Sequence, residues 1–438
     1  MKRVSVVERA LEDIGWSSYH NKLFFNCCCG WAVSLMWMST VANMMAEIED
    51  LSPLQHSLLG VAVNTGAFVG CFVFPFLSDQ YGRAYIFKKV IILTCFSSLL
   101  VVCSLNYEML LIGVLLIGCG AGGDMSTPSS VMLESTPPSY KRIKTFMSIG
   151  FCIGPIISQI AALLLNLFWE APMAKWRMLA CIITSITMIL AFVRSDMLES
   201  PIYLFGNRND EFVDVIVKIA RSKGRVSYAE KAPLLVPDQT EPGLATRSLK
   251  DIFGVPYLYS TVLLSVIQCC FYFGFTGILF FLPSFLHVGS MTDTYVLLIV
   301  QQASGVVGLL LSTLLVDLIG KKPTMSLGLL FCGGMIFPFL MTTNYSLVLL
   351  FSGLVYLGML MGVAGKNVIT PESYPPHLRG TGVGFVMALS RMAGIFAPVA
   401  STFLFTHGGI ALPLSVFGVC FLTAGALVLF LPEFSHCN

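Results

Sequence analysis

The hydrophobic positions of this chain run in long unbroken blocks. Twelve apolar segments, each bounded by charge, Pro or Asn, fall near residues 23–45, 55–77, 86–106, 109–132, 145–168, 177–195, 257–285, 294–316, 324–342, 346–370, 381–405 and 410–431. Each approaches the roughly 20 apolar residues that carry a helix across hydrocarbon. Backbone groups in a bilayer must pair internally, and continuous runs lack the alternation of a β-barrel. The pattern predicts an all-α membrane protein with twelve transmembrane helices.

The polar interruptions organise these spans. One long loop, about 196–256, divides them six and six. Within it, Asp210 to Arg221 places apolar residues at helical spacing and predicts a short amphipathic helix on the inner membrane face. Residues 232–246, with Pro233, Pro237, Pro242 and Gly243, read as a flexible linker. The expected order is an N-terminal segment (1–22), a six-helix bundle (23–195), the linker region (196–256), a second bundle (257–431) and a tail (432–438).

Composition narrows the class. The 438 residues are 56% hydrophobic and 11% charged, against about 25% charged in soluble domains. A cytosolic enzyme, a disordered chain and a disulfide-built secreted domain are excluded. A net charge of +2 gives no pull toward nucleic acid. The 14 cysteines sit in or beside apolar runs, apart from Cys437 in the tail, and read as free thiols. The first 22 residues lack a cleavable signal pattern, so the first span is expected to remain as an anchor. Of the 26 Lys and Arg, the segments on one side hold all but four; the other side holds Lys175 and Arg177, and Lys366 and Arg391 fall within spans. The bias places both termini in the cytoplasm.

An internal repeat recurs at an offset of 238 residues. Asp79, Gly82 and Arg83 map onto Asp317, Gly320 and Lys321. Glu134, Ser135, Pro137, Pro138 and Lys141 map onto Glu372, Ser373, Pro375, Pro376 and Arg379. Two motifs joined by one offset imply parallel structural repeats, two pseudo-symmetric bundles of the kind found in two-bundle transporters.

On these residues the chain resembles the major facilitator superfamily, over about residues 8 to 433. Ser78-Asp79-Gln80-Tyr81-Gly82-Arg83 is similar to its signature loop between helices 2 and 3. Glu199-Ser200-Pro201 and Pro371-Glu372-Ser373-Tyr374-Pro375-Pro376-His377-Leu378-Arg379-Gly380 resemble the sugar and organic-ion transporter patterns. Residues Ala10 to Trp16 resemble the synaptic-vesicle-protein-like and organic-ion branch, which is related to the sugar porters. The resemblance implies a multi-pass transporter that moves a small polar organic solute by alternating access. An organic ion is favoured; a facilitative sugar or polyol uniporter and a non-transporting receptor are the alternatives. Expected partners are a small-molecule substrate, a proton or other coupling ion, and the lipid bilayer of a plasma or endolysosomal membrane. No cofactor, metal or catalytic group is expected. The resemblance also implies that charge clusters built on Asp79, Gly82, Arg83, Glu134 and Lys141, and on Asp317, Gly320, Lys321, Glu372 and Arg379, hold the bundles together when the outside is open.

Ionisable residues inside spans are functional candidates by default. At ~1.5 Å per residue, Asp124 lies about 15 Å from the inner edge, counted from Glu134. Arg391 lies about 18 Å in, counted from Arg379, and Lys366 about 9 Å in, counted from Glu372. Three readings stand. Arg391 and Lys366 bind an anion while Asp124 exchanges a proton; Asp124 binds a cation; or Asp124 pairs with Arg391 across the bundles. The positive sum favours a carboxylate. Thr40 and Asn43 take positions where the branch often has acids, which argues against proton coupling through helix 1. Trp37, Asn43, Gln268, Tyr272, Gln302 and Tyr356 complete the candidate cavity.

Several motifs mislead. Gly118, Gly120 and Gly123 spell a dinucleotide fingerprint inside an apolar helix, where close helix packing is the better reading. Gln301-Gln302-Ala303-Ser304-Gly305 is similar to a sugar-binding motif displaced by one span. Asn344-Tyr345-Ser346 is a sequon on a very short loop, and Glu230 to Leu235 fits an acidic dileucine pattern.

Overall fold

The computed structural model describes residues 2–48, 51–140, 146–169, 175–205, 208–225, 252–285, 290–342, 344–374 and 379–432. Among the described residues, twelve helices are long and apolar enough to cross a bilayer. In chain order they are α2 (Ser18–Glu47), α3 (Pro53–Tyr81), α4 (Arg83–Val102), α5 (Tyr107–Ser135), α6 (Gly150–Phe168), α7 (Lys175–Arg194), α10 (Val255–Phe285), α11 (Met291–Ile319), α12 (Lys321–Met341), α13 (Tyr345–Glu372), α14 (Arg379–Gly408) and α15 (Ala411–Val428). Three further helices, α1 (Lys2–Ile14), α8 (Pro201–Leu204) and α9 (Asn209–Ser222), lie outside the spans.

Local chemistry sets several boundaries. Ser52 accepts from the Gln55 N–H and Ser290 from the Asp293 N–H, capping α3 and α11. Gly82 and Gly320, one repeat apart, break α3 from α4 and α11 from α12 at φ of 119° and 93°, where a Cβ is strained. Pro75, Pro128, Pro155, Pro338 and Pro398 sit inside spans, as packed membrane helices tolerate.

Helices α2 to α7 pack on one another, as do α10 to α15; the two groups meet along α3–α14, α6–α11 and α2–α10. The glycines of the false fingerprint serve helix contact. A Cβ on Gly118 would meet the Val63 carbonyl of α3, and one on Gly120 the Thr94 hydroxyl of α4. The thirteen described cysteines are free, and Cys27, Cys152 and Cys332 are buried.

The face that carries α1 and α9, called inner below, holds a small second core. The apolar side of α9 (Phe212, Val215, Ile216, Ile219) packs with Val7, Leu11 and Ile14 of α1 and Leu204 of α8. The amphipathic helix is present, but α1 covers its apolar side. Glu12 accepts from Ser139, and Lys22 lies 2.6 Å from Asp196. That ammonium holds the Asp196 carboxyl below its usual range. The Pro-rich linker and the dileucine pattern lie outside the described residues.

Candidate functional site

Between the bundles lies a narrow cavity lined by Leu35, Phe151, Phe271, Tyr272, Phe275, Tyr356, Leu360, Val363 and Lys366. It has room for about one water, so a solute seats there only as the bundles part around it. Its chemistry centres on the Tyr272 ring of α10. Lys366 Nζ of α13 stands 4.7 Å from the ring centroid and 5.1 Å from that of Phe271. The Arg391 guanidinium of α14 lies 4.4 Å from the Tyr272 centroid. Both cations are buried, at 5% and 4% exposure. Among the described residues neither forms an ion pair, and Arg391 Nη1 has no hydrogen-bond partner. Gln302 donates to the Tyr356 hydroxyl at 2.8 Å while its own carbonyl stays unpartnered. Lys366, Tyr272 and Tyr356 therefore line the cavity, while Arg391, against the Tyr272 ring, and Gln302, bonded to Tyr356, adjoin it without lining it.

Other candidates stand elsewhere. Asp124 does not reach Arg391. Its partner is Arg194, the last residue of α7, with Nη1 2.6 Å from Oδ1. Arg194 also donates to the Phe87 carbonyl at 3.2 Å and covers the Phe87 ring at 3.8 Å. The pair lies wholly inside the first bundle, and Asp124 does not line the cavity. The correction has a simple cause: a long basic side chain at a span end turns inward when a buried carboxylate awaits it. Trp37 donates to Thr187 of α7 at 3.0 Å, also within the first bundle. Gln268 donates to Thr370 at 2.8 Å behind the cavity wall. Asn43 is fully buried with both amide ends unpartnered and lies off the lining.

The repeat motifs form matching ion pairs. Arg83 Nη2 lies 2.8 Å from Glu134 Oε1, and Lys321 Nζ lies 2.6 Å from Glu372 Oε1. Each pair stays within its own bundle, so these pairs do not bridge the bundles in this arrangement. The first is reinforced. Glu134 accepts from Ser200 at 2.7 Å, and Glu199 accepts from the Ala84 and Tyr85 N–H groups at the start of α4. Tyr203 donates to the Gln80 carbonyl at 2.8 Å, and burial holds its hydroxyl above the usual range. Asp317 is exposed. Lys141 and the side chains of Asp79 and Arg379 lie outside the described set.

The outer face is closed by contacts the motifs did not reveal. Tyr295 of α11 donates to Glu47 of α2 at 2.6 Å, Asn166 of α6 donates to Thr292 of α11 at 2.9 Å, and Ser57 of α3 meets Thr402 of α14 at 2.8 Å. All three join the bundles. On the inner half, Asn367 lies 3.4 Å from Ser148.

Comparison with known proteins fixes the family. Residues 25–437 match the family described as Sugar (and other) transporter. The chain belongs to that family. Among its relatives, the MFS siderochrome iron transporter 1 of Ceriporiopsis subvermispora is 26% identical over 98% of this chain and 90% of its own length. The synaptic vesicle 2-related protein of Bos taurus is 25% identical over 98% of this chain and 80% of its own. The major facilitator proton:xylose symporter XylE of E. coli superposes with a TM-score of 0.75 at 17% identity, covering 95% of this chain and 96% of its own. This family member is an integral membrane transporter of the major facilitator fold, with twelve apolar spans.

Proposed function

We propose that the protein carries a small organic anion, with a carboxylate favoured, by alternating access between residues 1–195 and 257–431. The observation that carries this reading is the pair of buried, acid-free cations on one aromatic ring, Lys366 and Arg391. Buried charge demands a counter-charge, and arginine meets a carboxylate through two parallel hydrogen bonds. The aromatic lining suits an apolar or ring-bearing body behind that carboxylate. The named cargoes of the relatives differ, iron siderochromes for one and xylose for another, so the cavity is the better guide.

Alanine at Arg391 tests the reading. In thermal-shift titrations, Arg391→Ala should weaken binding of benzoate and related carboxylates at least tenfold while leaving their amides nearly unchanged. Equal loss for both would refute it. A neutral polyol is the second reading, supported by the unpartnered carbonyl of Gln302 beside the Tyr356 hydroxyl; selective stabilisation by sugars would favour it. Binding without uptake into proteoliposomes would instead mark a receptor. The charge bias further supports cytoplasmic termini, which antibody access to terminal epitopes before and after permeabilisation would check.

A further inference from the structure

Among the described residues, four charged side chains, Asp124, Arg194, Lys366 and Arg391, are buried within the spans, and they divide unequally. Asp124 and Arg194 neutralise each other at 2.6 Å. Lys366 and Arg391 share the Tyr272 ring with no acid between them. The groups facing Lys366 are Phe271 and Tyr272 of α10, Arg391 of α14 and Cys71 of α3; none is a carboxylate. Two like charges in a low-dielectric site oppose one another. Arginine keeps its proton in proteins, whereas a buried lysine can release one.

We propose that Lys366 is the coupling site, binding the proton that travels with the anion. This rests on the anion reading above. In the proposed cycle the empty site holds the amine without its proton, which spares the site a second positive charge beside the Arg391 guanidinium. An entering carboxylate brings one negative charge, and the amine takes one proton from the same aqueous face. The loaded site then holds a guanidinium, an ammonium and a carboxylate. When the bundles rock, the N–H bond breaks and proton and anion leave together on the other side. One proton and one monoanion cross with no net charge. Asp124 is already committed to Arg194, α2 offers Thr40 and Asn43 at mid-span, and its Glu47 is held by Tyr295 at the outer face, so among the described residues no carboxylate lines the cavity to compete for this role.

The test uses the full-length protein in liposomes, with benzoate, lactate and malate as probes. With the best-carried monocarboxylate, a gradient of one pH unit should drive about tenfold accumulation at one proton per anion, at a rate well above the unaided entry of the neutral acid into protein-free liposomes, and an entrapped pH dye should report that proton. Lys366→Arg fixes the charge and Lys366→Gln removes it. A variant that keeps anion-for-anion exchange should lose the tenfold accumulation. Wild-type flux without a proton, or undiminished accumulation in either variant, would overturn the proposal while leaving the anion reading standing. Absence of any carboxylate binding or exchange by the wild type would instead sink the anion reading itself. Lys366→Arg keeps the positive charge at the site, so loss of anion exchange in a Lys366→Arg protein that melts like the wild type would also overturn the proposal.

Discussion

Replacing Asp124 by Asn asks whether the buried pair of the first bundle is structural. Oδ1 lies 2.6 Å from Arg194 Nη1, and the two side chains are 0% and 1% exposed. In the variant the guanidinium keeps the Phe87 carbonyl and ring but loses its counter-charge. An uncompensated buried charge costs about 3–5 kcal/mol. At about 2–4 °C per kcal/mol for a unit of 150–250 residues, near the size of one bundle, Asp124→Asn should lower the melting temperature by about 6–20 °C. The double variant Asp124→Asn with Arg194→Met removes both charges and should recover at least half of that loss. Intrinsic-fluorescence melting of the detergent-purified protein measures both. A single variant within about 1 °C of wild type, or a double variant no better than the single, would refute the structural reading. The double variant carries a second readout. It should retain pH-dependent uptake, because the proton is assigned to Lys366; a well-folded double variant without pH dependence would return that role to Asp124.

Two further expectations use the repeat and the outer closure. Gly82→Ala and Gly320→Ala both force a side chain into a left-handed backbone, at about 1–2 kcal/mol. Gly82→Ala also drives a Cβ into the Glu199 carboxylate, while Gly320→Ala meets only Pro323 at 3.9 Å. Gly82→Ala should therefore melt several degrees lower than Gly320→Ala, and equal melting would refute the capping role of Glu199. Tyr295→Phe removes the bond to Glu47 and should loosen the outer face. Hydrogen–deuterium exchange at the outer ends of α2 and α11 should rise several-fold, and unchanged exchange would show that this bond does not hold the face shut.

The spans were legible because hydrocarbon leaves a helix no choice but a continuous apolar run. The repeat was legible because Gly82 and Gly320, and the pairs Arg83–Glu134 and Lys321–Glu372, must occupy equivalent places in each half. Boundaries were less so. The first span begins at Ser18, not near 23, since a helix continues through polar residues once it leaves the hydrocarbon. The site was only half legible. Lys366, Arg391 and Tyr272 stood out as polar or charged groups at depth. Arg194 did not, because at a span end a basic residue signals topology, and only its neighbours decide whether it turns inward. Phe151, Phe271 and Phe275 carry no mark that separates cavity wall from packing among 33 Phe. Glu47 and Tyr295 are 248 residues apart, and nothing in either local sequence announces the other.

The pairing of Asp124 changes the electrostatic argument for cargo. With three interior charges, Asp124 offsets one cation and the cavity needs little more than a weak anion. With Arg194 consuming Asp124, the site keeps one fixed guanidinium and one amine that can add a second positive charge, with no acid beside either. A cationic solute would add another, and a sugar would answer neither. A monoanion balances the guanidinium, which leaves the amine of Lys366 to titrate. A dianion balances both without recruiting a proton, provided that the ammonium is already present. Cargo charge and proton coupling are thus one electrostatic statement, and it has a measurable consequence. At a pH that leaves Lys366 neutral in the empty site, benzoate binding to the detergent-purified wild type should take up one proton per molecule, whereas binding to Lys366→Gln should take up none. Equal proton uptake by the two proteins would show that Lys366 does not respond to cargo charge.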